Sequence, residues 1–439
     1  MPFAELFVPL HRILSIQTME IAIIGGGAAG CFAAANLSSF IHGHTITVYE
    51  AGKRALAKVA ITGGGRCNLT NSFLNIASLE SAYPRGARLM KRLFYDFNHN
   101  DAYNWFEAAG VPLLTQSDQC VFPVSQDAME IVGTLLKIMQ TNGVVLKTSH
   151  RLTCISKANK EDHGYSLQFS NGYNTSADIV LVATGGSPRI EGLSMLSPLG
   201  LSLVSPVPSL FSLCLAPHSL KDMAGTVVED VVVALCSTKI KASGPLLITH
   251  WGLSGPAILK LSSYSARLLN DLGYNAKISI NWFGHSNEKE VSGMLYEMAI
   301  RNPQKQLQNI YPECFNSKLW RFLLEQCKMR PEMRWGEMGS KGFSRMAAIM
   351  TNDIYNVNAK NKSKEEFVTC GGVSLDNISA KTMECRNHRG LFFAGEVLDI
   401  DAITGGFNLQ AAWTTGYVAA KAMADLTSKI TPRSDKANL

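Results

Sequence analysis

A short apolar run, Glu20 to Ile24, leads straight into Gly25-Gly26-Gly27-Ala28-Ala29-Gly30. An alanine-rich helical stretch then runs from about Ala28 to Leu37. Strand, G-x-G-x-x-G and helix in direct succession leave few folds open. Gly25 permits the tight turn, Gly27 lets a pyrophosphate approach the backbone, and Gly30 lets helix and strand pack closely. The helix N-terminus offers free N–H groups and the positive end of a dipole. A second strand, Thr45 to Tyr49, ends in Glu50, 20 residues beyond Gly30, where a carboxylate accepts hydrogen bonds from a ribose. Together these predict a Rossmann-type α/β domain that binds a dinucleotide. The motif alone does not separate FAD from NAD.

A second glycine cluster follows, Thr62-Gly63-Gly64-Gly65-Arg66-Cys67-Asn68-Leu69-Thr70-Asn71. Such a loop has many backbone donors and little bulk, so it can lie against a flat ring, with Arg66 supplying charge and Asn68 hydrogen bonds. A flexible linker is the plainer reading, but linkers are usually richer in Ser and Glu. Cys67 invites a nucleophile role; with no partner His assignable, a small packed residue is the preferred reading. Further on, Ala177 to Ala183 reads as a strand ending in Thr184-Gly185-Gly186. Leu391 to Ala394 reads as another, ending in Gly395-Glu396, so several strand ends converge on one crevice. Gly405-Gly406 opens a helix from about Phe407 to Leu426, whose first N–H groups can face the edge of a bound cofactor ring. The nearby carboxylates Glu396, Asp399 and Asp401 favour a functional reading, although Asp401 alone reads as a cap or a solvated group.

Composition narrows the class. At 439 residues, two or three packed units are expected. The ten cysteines contain no C-x-x-C pair, which argues against a zinc site or a dithiol centre and fits a reducing compartment. There is no second G-x-G-x-x-G after a strand, so a two-domain disulfide reductase is not expected. Residues 1–18 read as an extension outside the fold, and no run is long enough to span a bilayer, so a cytoplasmic location is expected. Between 301 and 345, nine Lys/Arg face four Asp/Glu. A solvated helical face is the reading taken, an RNA-facing patch the alternative. A small-molecule substrate is therefore expected rather than nucleic acid.

The motifs just quoted resemble the BaiN/YhiN-like family of NAD(P)/FAD-dependent oxidoreductases. The resemblance extends to Phe393-Ala394-Gly395-Glu396-Val397-Leu398-Asp399, Thr404-Gly405-Gly406-Phe407-Asn408-Leu409-Gln410, Thr249-His250-Trp251-Gly252-Leu253-Ser254-Gly255-Pro256 and Val368-Thr369-Cys370-Gly371-Gly372-Val373. It implies a glutathione-reductase-like FAD-binding domain, noncovalent FAD, and an inserted β-barrel with a helical subdomain. The implied flavin contacts are Gly25, Gly27, Gly30, Glu50, Gly65, Arg66, Asn68, Thr184, Gly185, Gly395, Glu396 and Asn408. Ala28, Ala29, Lys53, Gly64, Cys67, Leu152, Gly186, Gly406 and Leu409 are expected beside them. One departure stands out: Ser187 to Gly200 is short, and Leu201 stands where the family usually has a His, which puts the substrate in doubt rather than FAD.

The expected division is 19–190 with 366–430 for the FAD domain, 191–254 with 331–365 for the barrel, and 255–330 for the helical subdomain. Within the insert, Phe211 to Leu215, Val227 to Leu235 and Leu246 to Ile248 read as strands. Gly255 to Asn270, Asn287 to Arg301 and Asn316 to Met329 read as helices, and Lys360 to Glu365 as a polar turn. The expected chemistry is hydride transfer from NAD(P)H through flavin N5 to a small acceptor such as a conjugated enone, with Arg66, His250 and Glu396 as candidate catalytic residues. An amine or amino-ketone oxidase, an RNA-directed flavoprotein and a non-catalytic flavin module are the competitors.

Overall fold

The computed structural model describes residues 18–158, 164–217, 219–361 and 368–430. The expected extension lies outside these residues apart from its last position, as does most of the polar turn at 360–365. Five parallel strands form the central sheet in the order Leu391–Phe393, Ile179–Val182, Glu20–Ile24, Thr45–Tyr49, Val145–Lys147. The three inner strands are almost wholly buried, as parallel strands covered on both faces must be, which is why they read as unbroken β-branched runs. The outermost strand, Leu391–Phe393, comes from the far end of the chain. The domain is therefore closed only when the carboxyl terminus has joined it.

Helix Ala28–Phe40 packs along the carboxyl-terminal helix Phe407–Ile430. Phe32 meets Phe97, Trp105, Phe106 and Trp413 in one aromatic cluster, with centroids 4.6–5.8 Å apart. Gly416 permits the close approach of the two helices, because a Cβ there would lie 2.7 Å from Ala29 O. An antiparallel meander, Leu152–Lys157, Tyr165–Phe169 and Asn174–Ala177, forms a separate three-stranded sheet.

The chain leaves this domain along Leu203–Ser209 and returns along the antiparallel Val368–Val373. Residues 190–199 stay with the first core, through buried Leu193, Met195, Leu196 and Leu199, rather than starting the insert. Beyond the exit, six strands close a barrel: Leu213–Leu215, Gly252–Ser254, Lys241–Ile248, Val227–Leu235, Ala276–Asn281 and Asp353–Lys360. Strand Ala276–Asn281 falls inside the stretch expected to be helical, and helix Ser340–Thr351 inside a stretch expected to be barrel. Ala276–Asn281 alternates apolar and polar residues over only six positions, too few to show against the helices on either side. The helices Glu288–Arg301 and Ser317–Gln326 start where Asn287 and Asn316 cap them, Asn287 as half of a capping box with Glu290.

Candidate functional site: a glycine cradle facing an inserted barrel

The cradle follows from three close approaches. Gly25 has φ +111° and donates its N–H to Tyr49 O at 2.8 Å; a Cβ there would lie 2.3 Å from Ala183 O. At Gly30 a Cβ would fall 1.9 Å from Gly25 O, so the helix can begin this close to the strand only with glycine. Gly27 is different in kind. It caps the helix with no side-chain hydrogen bond, and no atom lies within 4 Å of the place its Cβ would take. The glycine therefore keeps open a concavity lined by the free N–H groups of the first turn, where Ala28 and Ala29 stand, and this fits a pyrophosphate. Glu50 stands beside it. Its Oε2 accepts from Gly26 N (2.8 Å) and its Oε1 from Gly52 N (2.6 Å), which fixes the carboxylate and leaves lone pairs for a ribose. Leu152 opens the meander strand as a buried core residue, just beyond His150, whose N–H donates to Glu50 O. Lys53 is exposed.

Thr62–Gly65 is a single helical turn broken by the left-handed Gly63 and Gly64. Both Gly64 and Gly65 face open space, as a ring-binding loop requires. Arg66 is held twice: its Nε donates to Gly63 O at 3.1 Å, and its guanidinium lies 4.5 Å from the centre of the Phe122 ring. Cys67 is fully buried, and burial pushes its thiol up to about 12, far from a thiolate. Alkylation with iodoacetamide at neutral pH should therefore modify exposed Cys314 and leave Cys67 untouched; rapid labelling at Cys67 would contradict the packed role.

Asn68 is occupied rather than free. Its amide sits between Thr70 and Gly406, donating to Thr70 O (3.0 Å) and accepting from Gly406 N (3.3 Å). The loop is stitched further to the carboxyl-terminal segment through Asn71 Nδ2 to Gly405 O and Thr70 Oγ1 to Gln410 Oε1. The expectation that the N–H groups opening helix Phe407–Ile430 stand free thus fails for Gly406. Asn408 is likewise committed, bonded by its amide to both N and O of Ala402, and Leu409 packs half-buried on the core. A lone Asn in a glycine-rich motif does not reveal that its partners are neighbouring backbone.

At the other strand ends, Thr184 is exposed and Gly185 is left-handed, with φ +75°. A Cβ on Gly186 would lie 2.6 Å from Glu396 Oε1 and 2.7 Å from Thr369. Glu396 accepts from Thr369 N (2.7 Å) and lies 3.7 Å from Lys58 Nζ. Gly395 presses on Ala29 and donates to Thr415 Oγ1 at 2.9 Å, so the last strand ends against the start of the first helix.

The barrel carries the remaining candidate, His250. His250 is exposed on its turn and packs edge-on against Trp251, whose buried Nε1 has no partner. No hydrogen bond, ion pair or ring contact among the described residues joins His250 to Arg66 or Glu396. A half-buried cation of the barrel that its sequence does not single out is Lys260. On helix Pro256–Tyr264 it is one turn before Tyr264, whose hydroxyl donates to Ser81 O of the FAD domain, so the two share the domain-facing side. Its ammonium donates to Ser243 O. Burial pushes its pKa down, while the Cys120 thiol opposes that shift; the same Cys120 also feels Arg66. Position i+4 from a residue one could not yet place carried no readable signal.

A polar junction links the two cores. Arg85 binds Asp401 with two nitrogens, and also Ser263 O and Ser209 Oγ, while Ser209 donates to Asp401 Oδ2. Asp401 is fully buried, which corrects its reading as a cap or solvated group. Arg267 Nη2 donates to both carboxylate oxygens of Asp399, at 2.9 and 2.8 Å.

Residues 19–422 match the sequence profile described as HI0933-like protein Rossmann domain. The chain belongs to this HI0933-like family of FAD-dependent oxidoreductases. A 3-dehydro-bile acid delta(4,6)-reductase of Clostridium scindens is 27% identical over 92% of this chain and 99% of its own length. A ribosomal RNA dihydrouridine synthase of Escherichia coli is 25% identical over 92% of this chain and 98% of its own. Among solved structures, a 3-ketosteroid-delta4-(5alpha)-dehydrogenase of Rhodococcus jostii overlays with a TM-score of 0.49 at 13% identity, covering 94% of this chain and 98% of that one. The open space at Gly27, Gly64 and Gly65 fits FAD, the cofactor of this family. Among the described residues no helix is long and apolar enough to cross a membrane, and no group of three or more His, Cys, Asp or Glu side chains could hold a metal ion.

Proposed function

We propose that this protein reduces a carbon–carbon double bond conjugated to a carbonyl, drawing its electrons from NAD(P)H. The observation that carries the reading is the pairing of an FAD cradle with Arg66, a cation fixed on the loop beside it. When bound, the flavin supplies a hydride from N5 to an electron-poor carbon and is recharged by a reduced nicotinamide. The chain's own part is to polarise the carbonyl at the far end of the conjugated system. Arg66 suits this role, because Nε and the ring face are committed to Gly63 and Phe122 while neither Nη has a protein acceptor among the described residues. A fixed cation beside a carbonyl oxygen stabilises the enolate that hydride addition creates. Exposed His250 and pinned Glu396 are less suited to this role.

The names of the two curated relatives support this chemistry, since a steroidal dienone and a uracil ring each carry a double bond conjugated to a carbonyl. The absence of a second G-x-G-x-x-G implies that the nicotinamide visits the open face of the flavin site without a domain of its own. The test is anaerobic turnover of cyclohexenone and a 4-en-3-one steroid with NADPH or NADH, the products analysed by mass spectrometry. A gain of two hydrogens across the double bond is expected, with Arg66→Ala slowing it by about a hundredfold, the range seen when one oxyanion donor is removed. Hydrogen peroxide from an amine in air, with no reduction of either probe, would replace the reading with that of an oxidase.

A further inference from the structure

Helix Glu288–Arg301 carries apolar side chains on its outer side as well as its inner one. Val291, Leu295 and Ala299 are buried against the core. On the outer side Lys289, Gly293, Tyr296 and Ile300 follow one another at spacings of four, three and four, which sets them in line along one face. Tyr296 is 55% exposed and Ile300 62%. A helix packed on a core turns a polar face to solvent, and an apolar side chain exposed singly needs no account. Two in line, one turn apart, beside a mid-helix glycine that costs the helix about 1 kcal/mol, do need one.

The stripe has a knob and a gap. Tyr296 stands edge-on to Phe343, with ring centroids 5.7 Å apart, which anchors its ring on the surface. At Gly293 no atom lies within 4 Å of the place a Cβ would take. A groove of about 650 Å³ opens there, lined by Asn287, Lys289, Glu290, Gly293, Met294 and Glu297. Charge is placed at the two ends of one flank: Glu290 in the first turn and Arg301 at the last residue. Glu290 spends Oε2 on Asn287 N. Arg301 meets Glu297 at 3.1 Å, but the two side chains are 76% and 67% exposed, so that pair is weak enough to be traded.

We propose that a second copy of this chain docks on this stripe, the two helices antiparallel about a two-fold axis passing between residues 294 and 295. Tyr296 of each copy then fills the gap over Gly293 of the other, and each Lys289 stem covers the other's Ile300. The same arrangement brings Glu290 of each copy against Arg301 of the other. A knob and a gap three residues apart on one surface, with opposite charges at its ends, are what a two-fold contact asks of a single chain. One helix pair buries less than the ~800 Å² per partner of a standard interface, so the dimer is a weak one that forms at micromolar concentrations.

The test is sedimentation equilibrium of the FAD-loaded protein over a range of concentrations, beside the variants Tyr296→Glu and Gly293→Lys. Both positions are exposed, and lysine is a better helix former than glycine, so both variants fold. The wild-type mass should rise from one chain toward two. Each variant alone should associate at least about thirtyfold more weakly, the loss of one hot-spot aromatic contact. An equimolar mixture of the two should dimerise again, because it restores one Gly293–Tyr296 contact and sets the introduced lysine against the introduced glutamate. Flavin spectra and rates with cyclohexenone should match the wild type throughout. A wild type that stays monomeric up to its solubility limit, a variant that dimerises as the wild type does, or a mixture that stays monomeric beside a dimeric wild type overturns the proposal.

Discussion

Gly27→Ala yields a folded protein that purifies without FAD, whereas Gly30→Ala yields one that is both empty and unstable. The two glycines are three residues apart and look alike in the motif. At Gly27, φ is −85° and the Cβ would enter open space, so alanine costs the fold little beyond a weaker helix cap and fills the cradle where the pyrophosphate approaches. FAD affinity should fall by roughly a hundredfold, equivalent to about 2.7 kcal/mol, with the melting temperature of the apoprotein unchanged. At Gly30 the Cβ would overlap Gly25 O at 1.9 Å, and the first helix must move off the sheet. Overpacking of this kind costs about 1–3 kcal/mol or more. Melting curves of the two apoproteins beside FAD titrations separate ligand sterics from fold sterics. Equal melting temperatures for the two variants would show that the close approach at Gly30 is not what the fold depends on.

The second large effect is expected at Arg85. Its guanidinium joins the FAD domain to Ser209 on the exit strand, to Ser263 on the barrel helix and to Asp401 on the carboxyl-terminal loop. Arg85→Ala leaves Asp401 buried without its counter-charge and should cost about 3–5 kcal/mol. The pH dependence has a definite sign. Burial raises the Asp401 carboxyl above the usual range, and Arg85 opposes that shift. Without Arg85 the folded value rises further, while in the unfolded chain Asp ionises near ~3.9. The folded variant then holds a proton that the unfolded chain releases. Its stability is retained at low pH and lost as pH rises from the unfolded value through the raised folded one. The deficit against wild type, measured by calorimetry, should be larger at pH 8 than at pH 5. An Arg85→Met/Asp401→Leu double variant should recover most of the loss, because the charge goes with its partner. A single variant as stable as wild type would show that the junction does not hold the two domains.

The sequence made legible whatever local chemistry dictates. Gly25, Gly27, Gly30 and Glu50 stand in a contiguous strand–turn–helix–strand unit, and the structure places all four at one cradle. The triple glycine before Arg66 was readable as an open loop for the same reason. What failed to show were partners distant along the chain. Asn68 and Asn408 look like ligand-binding amides until Gly406, Thr70 and Ala402 are found beside them. Asp401 looks solvated until Arg85 arrives from 316 residues away. Strand Ala276–Asn281 is too short to declare its period, and only closure of the barrel gives it a place. The excess of cations from residue 301 on was legible as a count, whereas their pairing was not: among the described residues only Arg301 of them has a carboxylate partner.

The most direct test of the central claim is an anaerobic absorbance titration of the purified protein with NADH and NADPH separately, followed by a conjugated enone. The account predicts an oxidised flavin spectrum that bleaches with one of the nucleotides and returns when the enone is added. A protein that stays colourless after reconstitution with FAD, or whose flavin neither nucleotide reduces, would contradict it.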